Sequence, residues 1–252
     1  MDLTPAAWVL LALGAATVGF SKTAIGGVGQ IGVAIFAALL PAKESTGVLL
    51  PLLLVGDVTA VSIYRRHANW PILLRLLPLV AVGVVLGVAF IAVVDDTTMR
   101  RAIGVILLVL VGFHLVQQRL AGEPRPVGEP LAPLARPDAA TAGYGTLAGF
   151  TTMVANSGGP PTSLYLLRMG LSVDVFIGTL AWFFLVVNLA KVPFSAGLGL
   201  ISASSLLLDL VLAPAVVVGA LLGRVVIVRV RQEAFERLVL ALVAASALLL
   251  LW

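Results

Sequence analysis

Residues 76–94 read Leu-Leu-Pro-Leu-Val-Ala-Val-Gly-Val-Val-Leu-Gly-Val-Ala-Phe-Ile-Ala-Val-Val, a run without a single charge. A helix that crosses a bilayer needs about 20 apolar residues. The run lacks the alternation of apolar and polar positions that marks a barrel strand, so it reads as a membrane-spanning helix. Uncharged runs of the same kind cover 3–21, 23–42, 102–118, 139–167, 175–190, 192–208 and 238–252. The chain of 252 residues is 60% hydrophobic and 11% charged, with a mean hydropathy of +1.12. An average soluble domain is about 25% charged, and a soluble protein this apolar could not cover its surface. Disorder needs the opposite composition. An all-α polytopic membrane protein remains.

The other bulk properties agree. No cysteine is present, which removes disulfides, thiolate metal sites and a Cys nucleophile. The net charge of +4 comes from arginines in short loops between apolar runs. That is the positive-inside pattern of a membrane protein, and nucleic acid is not an expected partner. The N-terminus has no basic stretch before its first apolar run, so residues 3–20 are expected to belong to the fold and not to a cleaved signal.

The chain repeats itself. Gly19-Phe20-Ser21-Lys22-Thr23 recurs as Gly149-Phe150-Thr151-Thr152-Met153. Each is followed by a glycine-rich break, Gly26-Gly27-Val28-Gly29 and then Asn156-Ser157-Gly158-Gly159-Pro160-Pro161. Pro78, Gly83 and Gly87 correspond to Pro214, Gly219 and Gly223, and Asp57 corresponds to Asn188. Duplication with interrupted helices at matching places is the sequence sign of a secondary transporter. The division is 1–118 for the first repeat, 119–140 for a proline-rich cytoplasmic linker and 141–252 for the second repeat.

Charge counting sets the topology. Each repeat opens on a segment long for one crossing and short for two, which reads as a re-entrant or broken helical hairpin. Three crossings follow in each half, near 45–64, 70–94 and 99–117, then 174–196, 204–228 and 234–252. With 65–69 in the cytoplasm, eleven arginines lie inside, against Lys43, Arg100 and Arg101 outside. Letting 141–167 cross once reverses that bias to six inside and eight outside. The positive-inside rule therefore selects the hairpin. An odd number of crossings per half makes the repeats inverted, with both termini facing away from the cytoplasm.

Several polar residues stand out against this background. Lys22 lies within an otherwise uncharged stretch, and an ammonium at mid-membrane costs about 2.5–3.5 kcal/mol. It is an anion ligand, a coupling group, or one half of a structural pair with Asp57. Asp57 is a counter-charge or a proton-coupling carboxylate. Lys191 shares a helix face with Asn188 (spacing i, i+3) and either binds an anion or snorkels to an interface. The two breaks leave helix N-termini whose free N–H groups attract anions, and their glycines let backbone approach a ligand. Ser21, Thr23, Asn156 and Ser157 add donors beside Gly26, Gly27 and Gly158. Two inverted hairpins meeting tip to tip would build an anion site at the midplane. Gly83, Gly87, Gly219 and Gly223 instead suit close helix packing. Trp8, Trp70 and Trp252 fall near span ends as interfacial aromatics. Trp182, Phe183 and Phe184 form a bulky cluster of core packing or gating. His114 reads as a bundle residue, and Asp209 as a carboxylate near a helix start, where it suits the dipole.

Gly-Phe-Ser-Lys-Thr (19–23), Pro-Ala-Lys-Glu-Ser-Thr-Gly (41–47), Leu-Pro-Leu-Leu-Leu-Val-Gly-Asp (50–57) and Tyr-Arg-Arg-His-Ala (64–68) together resemble the sulfite exporter TauE/SafE family. So do Gly-Phe-Thr-Thr-Met-Val-Ala-Asn (149–156) and Gly-Thr-Leu-Ala-Trp-Phe-Phe (178–184) with Asn188, Lys191 and Pro193. The resemblance runs from about residue 8 to 250. One departure is Ser157, which adds a hydroxyl where the family pattern suggests alanine. The resemblance implies a permease or exporter in the bacterial cytoplasmic (inner) membrane, moving sulfite, a sulfonate or a related organosulfur anion.

The expected function is a secondary transporter of a small anion, and the rivals are an anion channel and an intramembrane enzyme. No HExxH, GxSxG or Walker pattern is present. No enzyme activity, metal or cofactor is expected. The partners are the anion and the lipid bilayer, and a homodimer is compatible with a bundle of this size.

Overall fold

A computed structural model of the protein describes residues 4–24, 28–120, 139–169, 171–226, 244 and 248. Its helices are α1 (Pro5–Thr23), α2 (Gly29–Leu39), α3 (Ala42–Tyr64), α4 (Trp70–Val93), α5 (Asp96–Leu120), α6 (Ala139–Ala155), α7 (Gly159–Arg168), α8 (Val173–Gly197) and α9 (Ala203–Val226). A 3-10 turn at Arg65–His67 joins α3 to α4. No strand occurs among the described residues. Five of the helices, α1, α3, α4, α8 and α9, are long and apolar enough to cross a membrane. The expected crossings near 45–64, 70–94, 99–117, 174–196 and 204–228 are occupied by α3, α4, α5, α8 and α9. The crossing expected at 234–252 and most of the proline-rich linker lie outside the described residues.

Local chemistry marks the helix ends. The Thr4 hydroxyl accepts from Ala7 N–H at 3.3 Å, with Pro5 at the first helical position, to start α1. Asn69 does the same for α4, accepting from Ile72 N–H at 3.2 Å. Its own N–H donates to the Thr179 hydroxyl at 2.9 Å, which ties the start of α4 to α8. Asp95, in the loop before α5, accepts from Thr98 N–H at 2.9 Å. The hydrogen bonds from Thr98 hold its carboxyl below the usual carboxylate range.

α1 with α2, and α6 with α7, form the two hairpins that the sequence predicts, but with unequal arms. In the first hairpin, Gly29 faces Ser21, Gly32 faces Val18 and Gly14 faces Phe36, an antiparallel register. The 19 residues of α1 span about 28 Å and the 11 of α2 about 16 Å. The 17 residues of α6 and 10 of α7 repeat the asymmetry. Two short half-helices were the expectation. The long first arm arises because nothing charged interrupts the run from Pro5 to Ser21, so the helix continues until the glycine break stops it.

Glycines bring the two halves together at matching positions. A Cβ at Gly19 would collide with the Val216 carbonyl oxygen, and one at Gly149 with that of Val80. Gly219 abuts the Ala16 carbonyl, and Gly83 that of Thr146, in the same way. So α1 packs on α9, and α6 on α4, with backbone touching backbone. Both contacts are parallel: Gly219 meets Ala16 and Gly223 meets Phe20, while Gly149 meets Val80 and Met153 meets Gly87. Between these pairs α3 crosses α8 in the opposite sense, with Gly178 beside Tyr64 and Asn188 beside Asp57. The packing role expected for Gly83, Gly87, Gly219 and Gly223 is what these contacts describe.

Gly149→Val should lower stability by about 1–3 kcal/mol or more, because backbone, not a flexible side chain, occupies the space the new atoms need. The readout is the unfolding temperature of the purified protein in detergent. Gly112→Ala, where an added Cβ meets nothing within 4 Å, should show no loss.

Candidate functional site

Four elements converge on one chain of polar contacts. Lys22, in the last turn of α1, forms an ion pair with Asp57 of α3 at 2.7 Å, and both side chains are buried. The other carboxylate oxygen of Asp57 accepts from Asn188 Nδ2 of α8 at 2.6 Å. One turn on, Lys191 Nζ donates to Asn188 Oδ1 at 3.3 Å. It also donates to Asn156 Oδ1 at 2.6 Å and to the Thr152 carbonyl at 2.7 Å, both at the tip of the second hairpin. Asn156 Nδ2 donates in turn to the Thr46 carbonyl of α3 at 3.0 Å. A single network thus ties α1, α3, α8 and the end of α6 together.

The network shows what each charge does. Lys191 is 1% exposed and does not reach toward a helix end. Its three donors meet three acceptors, which satisfies an ammonium group fully. One of them is a carbonyl at the C-terminus of α6, where the helix dipole favours a cation. Lys22 differs. Its ion-pair partner among the described residues is Asp57, and it lies over the Phe184 ring at 4.0 Å from the centroid. Phe184 also borders Gly159 at the start of α7. The ring therefore separates the Lys22 ammonium from a helix N-terminus. The two ammonium groups face one carboxylate, leaving an excess of positive charge in the cluster.

The remaining residues singled out in the sequence are engaged elsewhere. The Ser21 hydroxyl donates to the Val18 carbonyl at 2.8 Å and packs against Gly29 across the first hairpin. Thr23 donates to the Ala220 carbonyl of α9 at 2.6 Å. Ser157 donates to the Ala155 carbonyl at 2.9 Å. Gly158 lets the turn lie against Thr152 and the Ala148 carbonyl. Gly26 and Gly27 lie outside the described residues, as do Trp252 and the His114 side chain. Among the described residues no group of three or more His, Cys, Asp or Glu stands ready for a metal.

The end of α1 and the tip of the second hairpin lie apart, while residues 25–27 of the first tip lie outside the described residues. The second tip reaches α3 at Thr46 and the first end reaches it at Asp57, eleven residues apart and so about 16 Å along the helix. The long arms of α1 and α6 carry the two helix ends past one another. Side chains of Asp57, Asn188 and Lys191 bridge the gap. Asn156 holds its bend at φ +49°, a left-handed conformation that asparagine tolerates better than most residues. Thr152 and Thr46 take part through backbone carbonyls, which no side-chain motif announces. Trp182 leaves the bulky cluster of Phe183 and Phe184 to stack near Trp70 at 5.1 Å, donating to the Arg65 carbonyl at 3.2 Å.

The family model for sulfite exporter TauE/SafE matches residues 10–250. The chain belongs to this family. TauE/SafE proteins are membrane permeases of sulfur-containing anions, and five long apolar helices fit a multi-pass member. Comparison with curated proteins and with solved structures finds no match.

Two substitutions test the network. Lys22→Met leaves a buried carboxylate without its cation and should cost about 3–5 kcal/mol, whereas Lys22→Met with Asp57→Leu should recover most of that loss. Unfolding temperatures of the two variants in detergent measure it. Asn156→Gly keeps the left-handed bend but removes the contacts to Lys191 and Thr46, and Asn156→Ala removes both. The alanine variant should therefore be the less stable of the two, by about 0.5–1 kcal/mol.

Proposed function

We propose that this chain is a secondary carrier of a small sulfur oxyanion, sulfite or an organosulfonate, in a bacterial cytoplasmic membrane. One observation carries the reading. Among the described residues, Lys22 is a buried cation paired with a carboxylate and lying over an aromatic ring. An anion that displaces the Phe184 ring would find the Lys22 ammonium facing it and the N-terminus of α7 behind it. Oxyanions with several acceptor oxygens match that pair of donors. Asn188 and Lys191 complete the wall, Lys191 acting through its field and by holding Asn156 and Asn188 in place. The break at Asn156-Ser157-Gly158 borders the site through Asn156.

The internal symmetry supports alternating access. Helices that correspond in the two repeats, α3 and α8, run antiparallel, and the contacts of α1 with α9 and of α4 with α6 are mutual counterparts. Inverted repeats have this arrangement, and such repeats exchange conformations to open a central site to one face at a time. The Asp57–Asn188 contact lies where the two halves cross, so movement there changes the surroundings of Lys22.

Flux from proteoliposomes loaded with sulfite, sulfoacetate, taurine or acetate is the test. Saturable, competitive flux of a sulfur oxyanion is expected, reduced about 10- to 100-fold by Lys22→Ala through loss of a charged hydrogen bond. Flux that rises in proportion to concentration without competition would mark a channel. Full transport by Lys22→Ala would remove that residue from the anion site.

A further inference from the structure

Asp57, Lys191 and Asp209 are the buried charged residues among those described, with Lys22 nearly so. Only Asp209 stands outside the network. It is 5% exposed, and neither carboxylate oxygen has a hydrogen-bond partner among the described residues. The sequence suggested that its place near a helix start would satisfy it. Asp209 is instead the seventh residue of α9, beyond the first four N–H groups that a helix leaves free. It sits about 9 Å inside a membrane span that begins at Ala203.

Among the described residues, nothing on the elements around it supplies a charge. α9 packs against α1 and α3. The ionisable residue of α1 is Lys22, which is tied to Asp57. Those of α3 are Lys43 and Glu44 in its first turn, Asp57, and Tyr64 at its end, and none of them bonds Asp209. Arg224 lies at the far end of α9 itself. A carboxylate with no donor in such surroundings has one simple way to become satisfied, which is to bind a proton. A sodium ion would need several oxygen ligands, and no cluster of acidic residues is present here among the described residues.

We propose that Asp209 is a proton-binding site that couples anion movement to the proton gradient. The carboxylate takes up one proton to become the neutral acid and releases it on the other side of the cycle. Its position connects it to the anion site. Two turns along α9, Val216 lies against Gly19 of α1 and beside Gly56 of α3, next to Lys22 and Asp57. A change of charge at Asp209 alters the seating of α9 on both helices that hold the Lys22–Asp57 pair. The coupling half of the proposal rests on the carrier function, and the proton site itself does not.

The test uses the full-length protein in lipid with two readouts. Infrared difference spectra between low and high pH should show a protonated-carboxyl stretch in the wild type. It should vanish in Asp209→Asn, persist in Asp57→Asn and shift in Asp209→Glu. No such band, or one that survives in Asp209→Asn, overturns the site. Anion accumulation driven by an imposed pH gradient should fall about tenfold in Asp209→Asn relative to exchange without a gradient, with coupling kept in Asp209→Glu. Unchanged gradient-driven accumulation in Asp209→Asn, or accumulation driven by sodium and not by protons, overturns the coupling. If no tested anion moves in the wild type, the carrier reading and the coupling fall together, and the infrared band alone decides the proton site.

Discussion

The buried pair of Lys22 and Asp57 constrains the rest of the molecule. Neither charge can be left alone in an apolar interior, because desolvation costs each several kcal/mol. Their 2.7 Å contact fixes the end of α1 against the middle of α3. The second carboxylate oxygen then recruits Asn188, and through it α8 and Lys191. Lys191 in turn needs three acceptors, and the carbonyl end of α6 with Asn156 supplies two of them. Within this network, each polar group draws in another element. The candidate site proposed above and the structural keystone are therefore the same set of residues.

Around that cluster the bundle is closed by shape, not by polarity. Lipid tails are as apolar as the helices, so helix association depends on close packing rather than on the hydrophobic effect. Gly19, Gly83, Gly149 and Gly219 answer that need by admitting a neighbouring backbone where any side chain would collide. They do so in reciprocal pairs, Gly19 with Gly219 on one contact and Gly83 with Gly149 on the other. The duplication seen along the chain thus becomes a duplication in space. The crossing of α3 and α8 lies between the two glycine contacts, where corresponding residues of the halves, Asp57 and Asn188, touch each other.

The unequal hairpins give the site its form. Because α1 and α6 are long, their ends pass one another, and the network stretches along α3 from Asp57 to Thr46. The small donors near the breaks, Ser21, Thr23 and Ser157, satisfy local carbonyls in this arrangement. The cation with an unengaged face is Lys22, and an aromatic ring covers that face.

The sequence by itself determined the membrane class, the positions of α3, α4, α5, α8 and α9 and the family. These depend on run lengths, charge spacing and local motifs, all of which are properties of neighbours along the chain. It also singled out Lys22, Asp57, Asn156, Asn188 and Lys191, because a polar group within an apolar run is visible without any fold. Tertiary structure alone decided who partners whom. Thr152 and Thr46 contribute carbonyls that every residue possesses, so no side-chain pattern could name them. The offset of the hairpin tips follows from where α1 and α6 stop against other helices. The isolation of Asp209 among the described residues is likewise a three-dimensional fact, since whether a carboxylate has a partner depends on the elements packed around it.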